Sequence, residues 1–203
     1  MIALYAFVSR PRELPDGLEL VPIGDVDAVV GPAEDGDEAV VRHGLAVEAL
    51  LDAADAVLPV RFGERFADVD AMTEAVAPRL PEFQDALARI AGCVEIAVRV
   101  ARAEAGDGVR GRDGGSYMRA RLRSVTADAA AAEAVHARLR SCARESVVGE
   151  STLSRLLHDA SYLVERERVD DFARTVESYA ASHPELSLVC TGPWAPATFA
   201  GAA

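Results

Sequence analysis

The sequence predicts an α+β fold in two domains, the second of them ferredoxin-like. Three observations carry this. The chain opens on an apolar run, Met1-Ile2-Ala3-Leu4-Tyr5-Ala6-Phe7-Val8, which reads as a buried strand. From Val94 onward the patterns follow one another as strand–helix–strand–strand–helix–strand, the order of a ferredoxin-like unit. Gly92 breaks a helical pattern just before that series. The expected division is therefore residues 1–91 as an N-terminal α+β domain and 92–203 as a C-terminal ferredoxin-like domain. A length of 203 residues suits one or two domains. A chain of this size buries roughly 70% of its unfolded surface and needs no disulfide or metal to hold it.

The elements follow in order. Residues 2–8 form the first strand. Leu18–Ile23 alternates apolar and polar, with Pro22 arguing for an edge or a strand end. Val26–Val30 is a third strand, stopped by Gly31-Pro32. The acidic stretch Glu34–Glu38 is a solvated loop feeding a helix N-terminus, where acids suit the dipole. A helix is expected over 37–54, with Val40, Val41, Gly44, Leu45, Val47 and Leu51 as its apolar stripe. Ala56–Gly63 is an apolar strand closed by an Arg-Phe-Gly turn. Asp68 can cap the next helix. That helix runs to about Ile90 with Met72, Val76, Leu80, Phe83, Leu87 and Ile90 at helical spacing. Pro78 and Pro81 kink it or split it in two.

In the second half, Val94–Val100 alternates as a strand. The stretch Gly106–Gly115 holds five glycines and reads as a mobile loop. A long helix is expected over 116–143, then strands near Glu145–Glu150 and Leu156–Val164. Asp170-Asp171-Phe172 begins a helix ended by Pro184, and Leu186–Gly192 is the last strand.

Composition excludes several functions. Half the residues are apolar and 27% charged, which rules out wholesale disorder. The 21 basic residues, every one Arg, against 33 acidic ones give a net charge of −12. Such a chain is repelled by nucleic acid and by anionic membranes, so neither is expected as a partner. No segment reaches the ~18 apolar residues of a membrane span. No Arg or Lys precedes the first apolar run, so it is not read as a secretory signal, and a cytoplasmic location is expected. Cys93, Cys142 and Cys190 are far apart and odd in number, which suits reduced thiols.

The search for chemistry is mostly negative. There is no phosphate-binding glycine motif, no GxSxG elbow, and no HxxxH or HExxH pair. His43, His136, His158 and His183 read as surface or partly satisfied residues. No catalytic, metal-binding or cofactor-binding residue is expected, and the chain is not read as an enzyme. Three features remain as candidate protein-contact sites. Arg110, Arg112, Arg119, Arg121 and Arg123 form a basic cluster, either a solvated helix face or a docking surface for an acidic partner. Arg61 stands inside the hydrophobic turn Leu58–Gly63, either satisfying carbonyls or anchoring an interface. Trp194, the only Trp, lies between Pro193 and Pro196 and is expected to pack back on the domain.

Two of these segments carry a family resemblance. Val57-Leu58-Pro59-Val60-Arg61-Phe62-Gly63, followed by Phe66, resembles the LPVRFG…F signature of the gas vesicle protein F/L family (GvpF/GvpL). The ending Leu186–Phe199 resembles that family's terminal TGPWPPYSF pattern, with Ala195 replacing a Pro and Ala197 and Thr198 where Tyr and Ser are common. The opening Ile2–Ala6, His43 and Glu48 in the first helix, and Gly111-Arg112 before Tyr117-Met118 fit the same order. The resemblance implies two α+β domains, the second a modified ferredoxin-like fold. It also implies a cytoplasmic, non-enzymatic accessory or minor structural protein of gas vesicles. Such a protein binds the small hydrophobic major shell protein (GvpA) and other accessory proteins, and has no catalytic residues to transfer. The candidate interface is Pro59, Arg61, Phe62, Gly63, Phe66, Arg119, Arg121, Arg123 and Trp194. An alternative from another class is a ferredoxin-like ligand-sensing module that regulates a partner, which would need a pocket of convergent polar groups.

Overall fold

The computed structural model describes residues 1–103, 114–149 and 156–200; the side chains of 114–121, 123 and 124 fall outside this description. The chain forms two compact units, one of Met1–Glu95 with Pro193–Ala203 and the other of Ile96–Gly192.

The first unit is built on an antiparallel sheet of β1 (Ile2–Ser9), β2 (Glu19–Ile23), β3 (Val26–Pro32), β4 (Ala56–Pro59) and β5 (Arg65–Phe66). The order is β2-β3-β1-β4, with β5 also paired to β1. Five consecutive residues of β1, Leu4–Val8, are buried, which requires cover on both sides. Tyr5 meets α1 (Asp37–Ala53) through His43, and Phe7 stacks on Phe83 of α3 (Leu80–Ile90) at 4.4 Å. The register of β1 against β3 slips between Leu4 and Ala6, so Tyr5 is the extra residue of a bulge. Gly31 makes room for it. A Cβ there would come within 3.1 Å of the Tyr5 ring and 2.5 Å of Leu18.

The helical stripe of α1 differs from the sequence expectation. Ala39, His43, Val47, Leu50 and Leu51 are buried, while Val40, Val41 and Leu45 face solvent. Valine spacing alone did not give the phase; the position of the sheet did. The proline-split helix is as expected. α2 (Val69–Val76) passes through a 3₁₀ turn at Ala77–Arg79 into α3. Asp68 caps α2, its carboxylate accepting from the Ala71 amide at 2.9 Å, a contact worth about 1 kcal/mol.

The second unit carries most of β6 (Cys93–Arg102), α4 (Gly114–Arg140), β7 (Glu145–Val148), β8 (Leu156–Glu165), α5 (Val169–Ser182) and most of β9 (Leu186–Trp194). The strand order β7-β8-β6-β9 interleaves two strand–helix–strand passes, leaving β6 and β8 central. That is the split βαβ arrangement expected from the element order. Val98, Val135, Leu139, Leu163 and Phe172 are fully buried and form its core. Inside that core the hydroxyl of Tyr162 sits between two histidines, 3.1 Å from Nδ1 of His136 and 3.0 Å from Nε2 of His158. The hydroxyl has one proton, so it donates to one ring and accepts an N–H from the other. Burial pushes the Tyr162 hydroxyl far up from its ordinary pKa, which keeps that donor in place. The expected mobile loop at 106–115 lies outside the described residues but for its last two.

Candidate functional site

The LPVRFG segment leaves and rejoins one sheet edge. Val57 and Leu58 are fully buried where β4 pairs with β1. The Val60 amide still donates to the Tyr5 carbonyl at 2.9 Å. The chain then loops outward, and the Leu4 amide picks it up again at the Glu64 carbonyl, 3.0 Å away. β5 follows, pairing Phe66 with Ile2 and Arg65 with Ala3. Gly63 takes φ +99° at the crest, where an L side chain would be strained. The Glu64 amide closes on the Arg61 carbonyl at 3.4 Å, as in a type II turn with Gly at its third position.

His43 holds this turn from below. It is 8% exposed, and its Nε2–H donates to the Val60 carbonyl at 2.9 Å. Its ring stacks on Tyr5 at 4.6 Å and meets the edge of Phe62 at 5.6 Å. Tyr5 therefore bulges out of the strand to meet the histidine that fixes the turn. Burial raises the Tyr5 pKa, with the nearby Glu34 adding to it, so this ring stays neutral. Arg65 is tied down, donating to the Asp35 carboxylate at 2.6 Å and the Glu34 carbonyl at 2.5 Å. The Arg65 guanidinium in turn holds the Asp35 carboxyl below the usual carboxylate range.

Arg61 is not tied down. Its side chain is exposed and makes no hydrogen bond or ion pair among the described residues. Of the two roles the sequence left open, carbonyl satisfaction is thus not what the structure assigns it. Pro59, Phe62 and Phe66 are half-buried, so the turn offers partly exposed aromatic rings beside a free guanidinium. A cavity of about 380 Å³ opens nearby, lined by Tyr5, Pro15, Leu18, Pro32 and Leu45, with the Arg42–Glu34 ion pair among its walls.

Trp194 is 45% exposed at the end of β9 and does not pack back as expected. Phe199 packs instead, at 1% exposure, and Glu95 fixes it in place. Glu95 accepts from the Thr198 amide at 2.9 Å and from its hydroxyl at 2.6 Å. Arg119, Arg121 and Arg123 belong to α4, but their side chains, like all of Arg110 and Arg112, lie outside the described residues. Sequence reasoning missed His43, Tyr5 and Glu95 as supports. The one available signal was spacing, since His43 shares a helix face with Ala39 and Val47. Among the described residues no group of three His, Cys, Asp or Glu could hold a metal ion, and Cys93, Cys142 and Cys190 form no disulfide. Among the same residues no helix is long and apolar enough to cross a membrane.

A family model described as gas vesicle synthesis protein GvpL/GvpF matches residues 4–201. Gas vesicle protein L of a Streptomyces species is 34% identical, across 98% of this chain and 92% of its own. Gas vesicle protein F2 of Halobacterium salinarum is 30% identical, across 80% of this chain and 68% of its own. The crystal structure of GvpF from Anabaena sp. PCC7120 has the same fold, with a TM-score of 0.80 at 16% identity over 100% of this chain and 96% of that one. GvpF from Microcystis aeruginosa has a TM-score of 0.76, also at 16% identity. With the family match spanning nearly the whole chain and the LPVRFG turn built as described, the protein belongs to the GvpL/GvpF family of gas vesicle proteins.

Proposed function

We propose that this protein is a cytoplasmic, non-enzymatic accessory or minor structural component of gas vesicles. In this reading it binds the small hydrophobic major shell protein (GvpA), works beside other accessory proteins, and assists vesicle assembly. A shell monomer buries its apolar face only on polymerising, and until then the exposed patch invites aggregation. A highly charged partner, here with net charge −12, keeps such a complex in solution. The observation that carries the reading is the Arg61 turn: an exposed guanidinium with no partner among the described residues, next to the half-buried Phe62, in a turn that His43 supports through the Val60 carbonyl and the Phe62 ring. Arginine and aromatic side chains dominate interface energy, and a preordered turn loses little entropy on docking. The proposed contact residues are Pro59, Arg61, Phe62, Gly63 and Phe66, with Arg119, Arg121, Arg123 and Trp194 as further contacts. The two expected domains, divided near Gly92, belong to the same reading.

The experiment is co-purification with co-expressed major shell protein, wild type beside Arg61→Glu. Loss of an interface anchor worth about 2 kcal/mol weakens binding roughly thirtyfold. Stoichiometric capture by wild type and that loss in a folded variant are expected. Equal capture by both moves the interface off the turn. No capture by wild type overturns direct shell-protein binding.

A further inference from the structure

A sheet edge exposes unpaired backbone N–H and C=O groups, and natural chains defend it with short strands, charges or proline. Among the described residues, three of the four outer strands are defended in that way. β2 holds Glu19 and Pro22 among five residues. β4 has four residues and ends in Pro59, with Arg65 of β5 continuing its line along β1. β7 has four residues and starts at Glu145.

β9 has no such defence. It runs nine residues, none charged, in a chain that is 27% charged. No charged side chain occurs anywhere from Leu186 to Ala203. Among the described residues its one strand neighbour is β6. Among the described residues no backbone bond joins Ser187–Thr191 to anything outside the sheet. Ser187, Val189, Cys190 and Thr191 are all exposed, Val189 at 52%. Gly192, at φ +124°, and Pro193 then break the regular strand. The open length is therefore Leu186–Thr191, roughly 20 Å of edge.

We infer that the open edge of β9 takes an extended, uncharged, apolar β-strand of the major shell protein by main-chain pairing. This rests on the shell-protein binding proposed above. Charge selects the occupant. A second copy of this chain brings another −12 and is repelled. A charged strand finds no counter-charge along β9 and must be desolvated without compensation. A neutral apolar strand gains one ladder and covers Val189 at no such cost. Main-chain pairing supplies the affinity and the exposed side chains beside the edge supply the selection.

The test uses the full chain with co-expressed major shell protein. Wild type is compared with the double variant Val189→Lys/Thr191→Lys, which places charge on exposed positions of β9. Val148→Lys on the short edge β7 is the control. Circular dichroism and the thermal midpoint establish that each variant is folded. Expected are capture by wild type and by Val148→Lys, at least a tenfold loss in the double variant, and at least tenfold slower amide hydrogen exchange within 187–191 when the shell protein is bound. Equal capture by the double variant, or unchanged exchange in β9, overturns the inference and leaves shell-protein binding standing. No capture by wild type overturns both. A wild-type dimer in sedimentation that the double variant dissolves assigns the edge to a second copy and overturns the shell-protein occupant.

Discussion

His43 links the sheet to the turn, and three contacts meet on its ring: the Tyr5 face, the Phe62 edge and the Val60 carbonyl. His43→Ala removes all three while leaving α1 free to form. Loss of one buried hydrogen bond costs about 1–3 kcal/mol, which lowers the thermal midpoint by roughly 2–4 °C per kcal/mol in a chain this size. The larger effect is local. Arg61 is already exposed, and without its support the turn opens to proteases. Trypsin cleavage after Arg61 is expected to accelerate severalfold in His43→Ala, followed by mass spectrometry of the fragments. An unchanged cleavage rate would show that the sheet alone holds the turn. The sequence marked the turn correctly by its Pro-Val-Arg-Phe-Gly chemistry. It did not mark the histidine, because the exposed Val40, Val41 and Leu45 suggest a different helix face. Which stripe of an apolar helix goes inward is settled by the sheet it meets.

At the level of elements, those set by local chemistry were the legible ones. The Asp68 cap and the break at Pro78 and Pro81 follow from groups within a few residues of each other. The C-terminal segment is the opposite case. Its proline-flanked Trp194 stays half-exposed, whereas Thr198 and Phe199 anchor it through a carboxylate 103 positions earlier. No local pattern reports a partner at that distance. Thr198→Val keeps the backbone amide bond to Glu95 and removes the hydroxyl donor. A hydrogen bond to a charged acceptor is worth about 1.5–3 kcal/mol, so the thermal midpoint is expected to fall by several degrees. Thr198→Ser restores the hydroxyl and is expected to recover most of it. Such a recovery would fit the resemblance noted in the sequence, where a serine is common. If Thr198→Val melts with wild type, the hydroxyl does not hold the segment; if Thr198→Ser melts with Thr198→Val, the methyl contributes beside the hydroxyl.

At the level of the whole molecule, the split βαβ order was readable because each element in it has a clean period of its own. The bulge at Tyr5 and the histidine pair around Tyr162 were not, since both exist only where distant segments meet. That pair gives the molecule a pH dependence of definite sign. His158 is 5% exposed, with its Nε2 against the Tyr162 hydroxyl. Burial first, and the charge on His136 second, lower its pKa; Asp159 and Glu133 pull the other way without reversing the shift. The unfolded chain, with an ordinary histidine value of about 6.5, therefore takes up the proton before the folded one does. Stability is full above that value and is lost as pH falls through it toward the lowered native value. The slope for one proton is at most about 1.4 kcal/mol per pH unit. A urea series between pH ~7.5 and ~5.5 at fixed ionic strength measures it, the salt screening the repulsion of a chain at −12. His158→Gln removes the titrating group while keeping a polar partner for Tyr162, and is expected to flatten the slope by up to that one proton. A slope that survives the substitution assigns the pH dependence to other groups and removes His158 from the account.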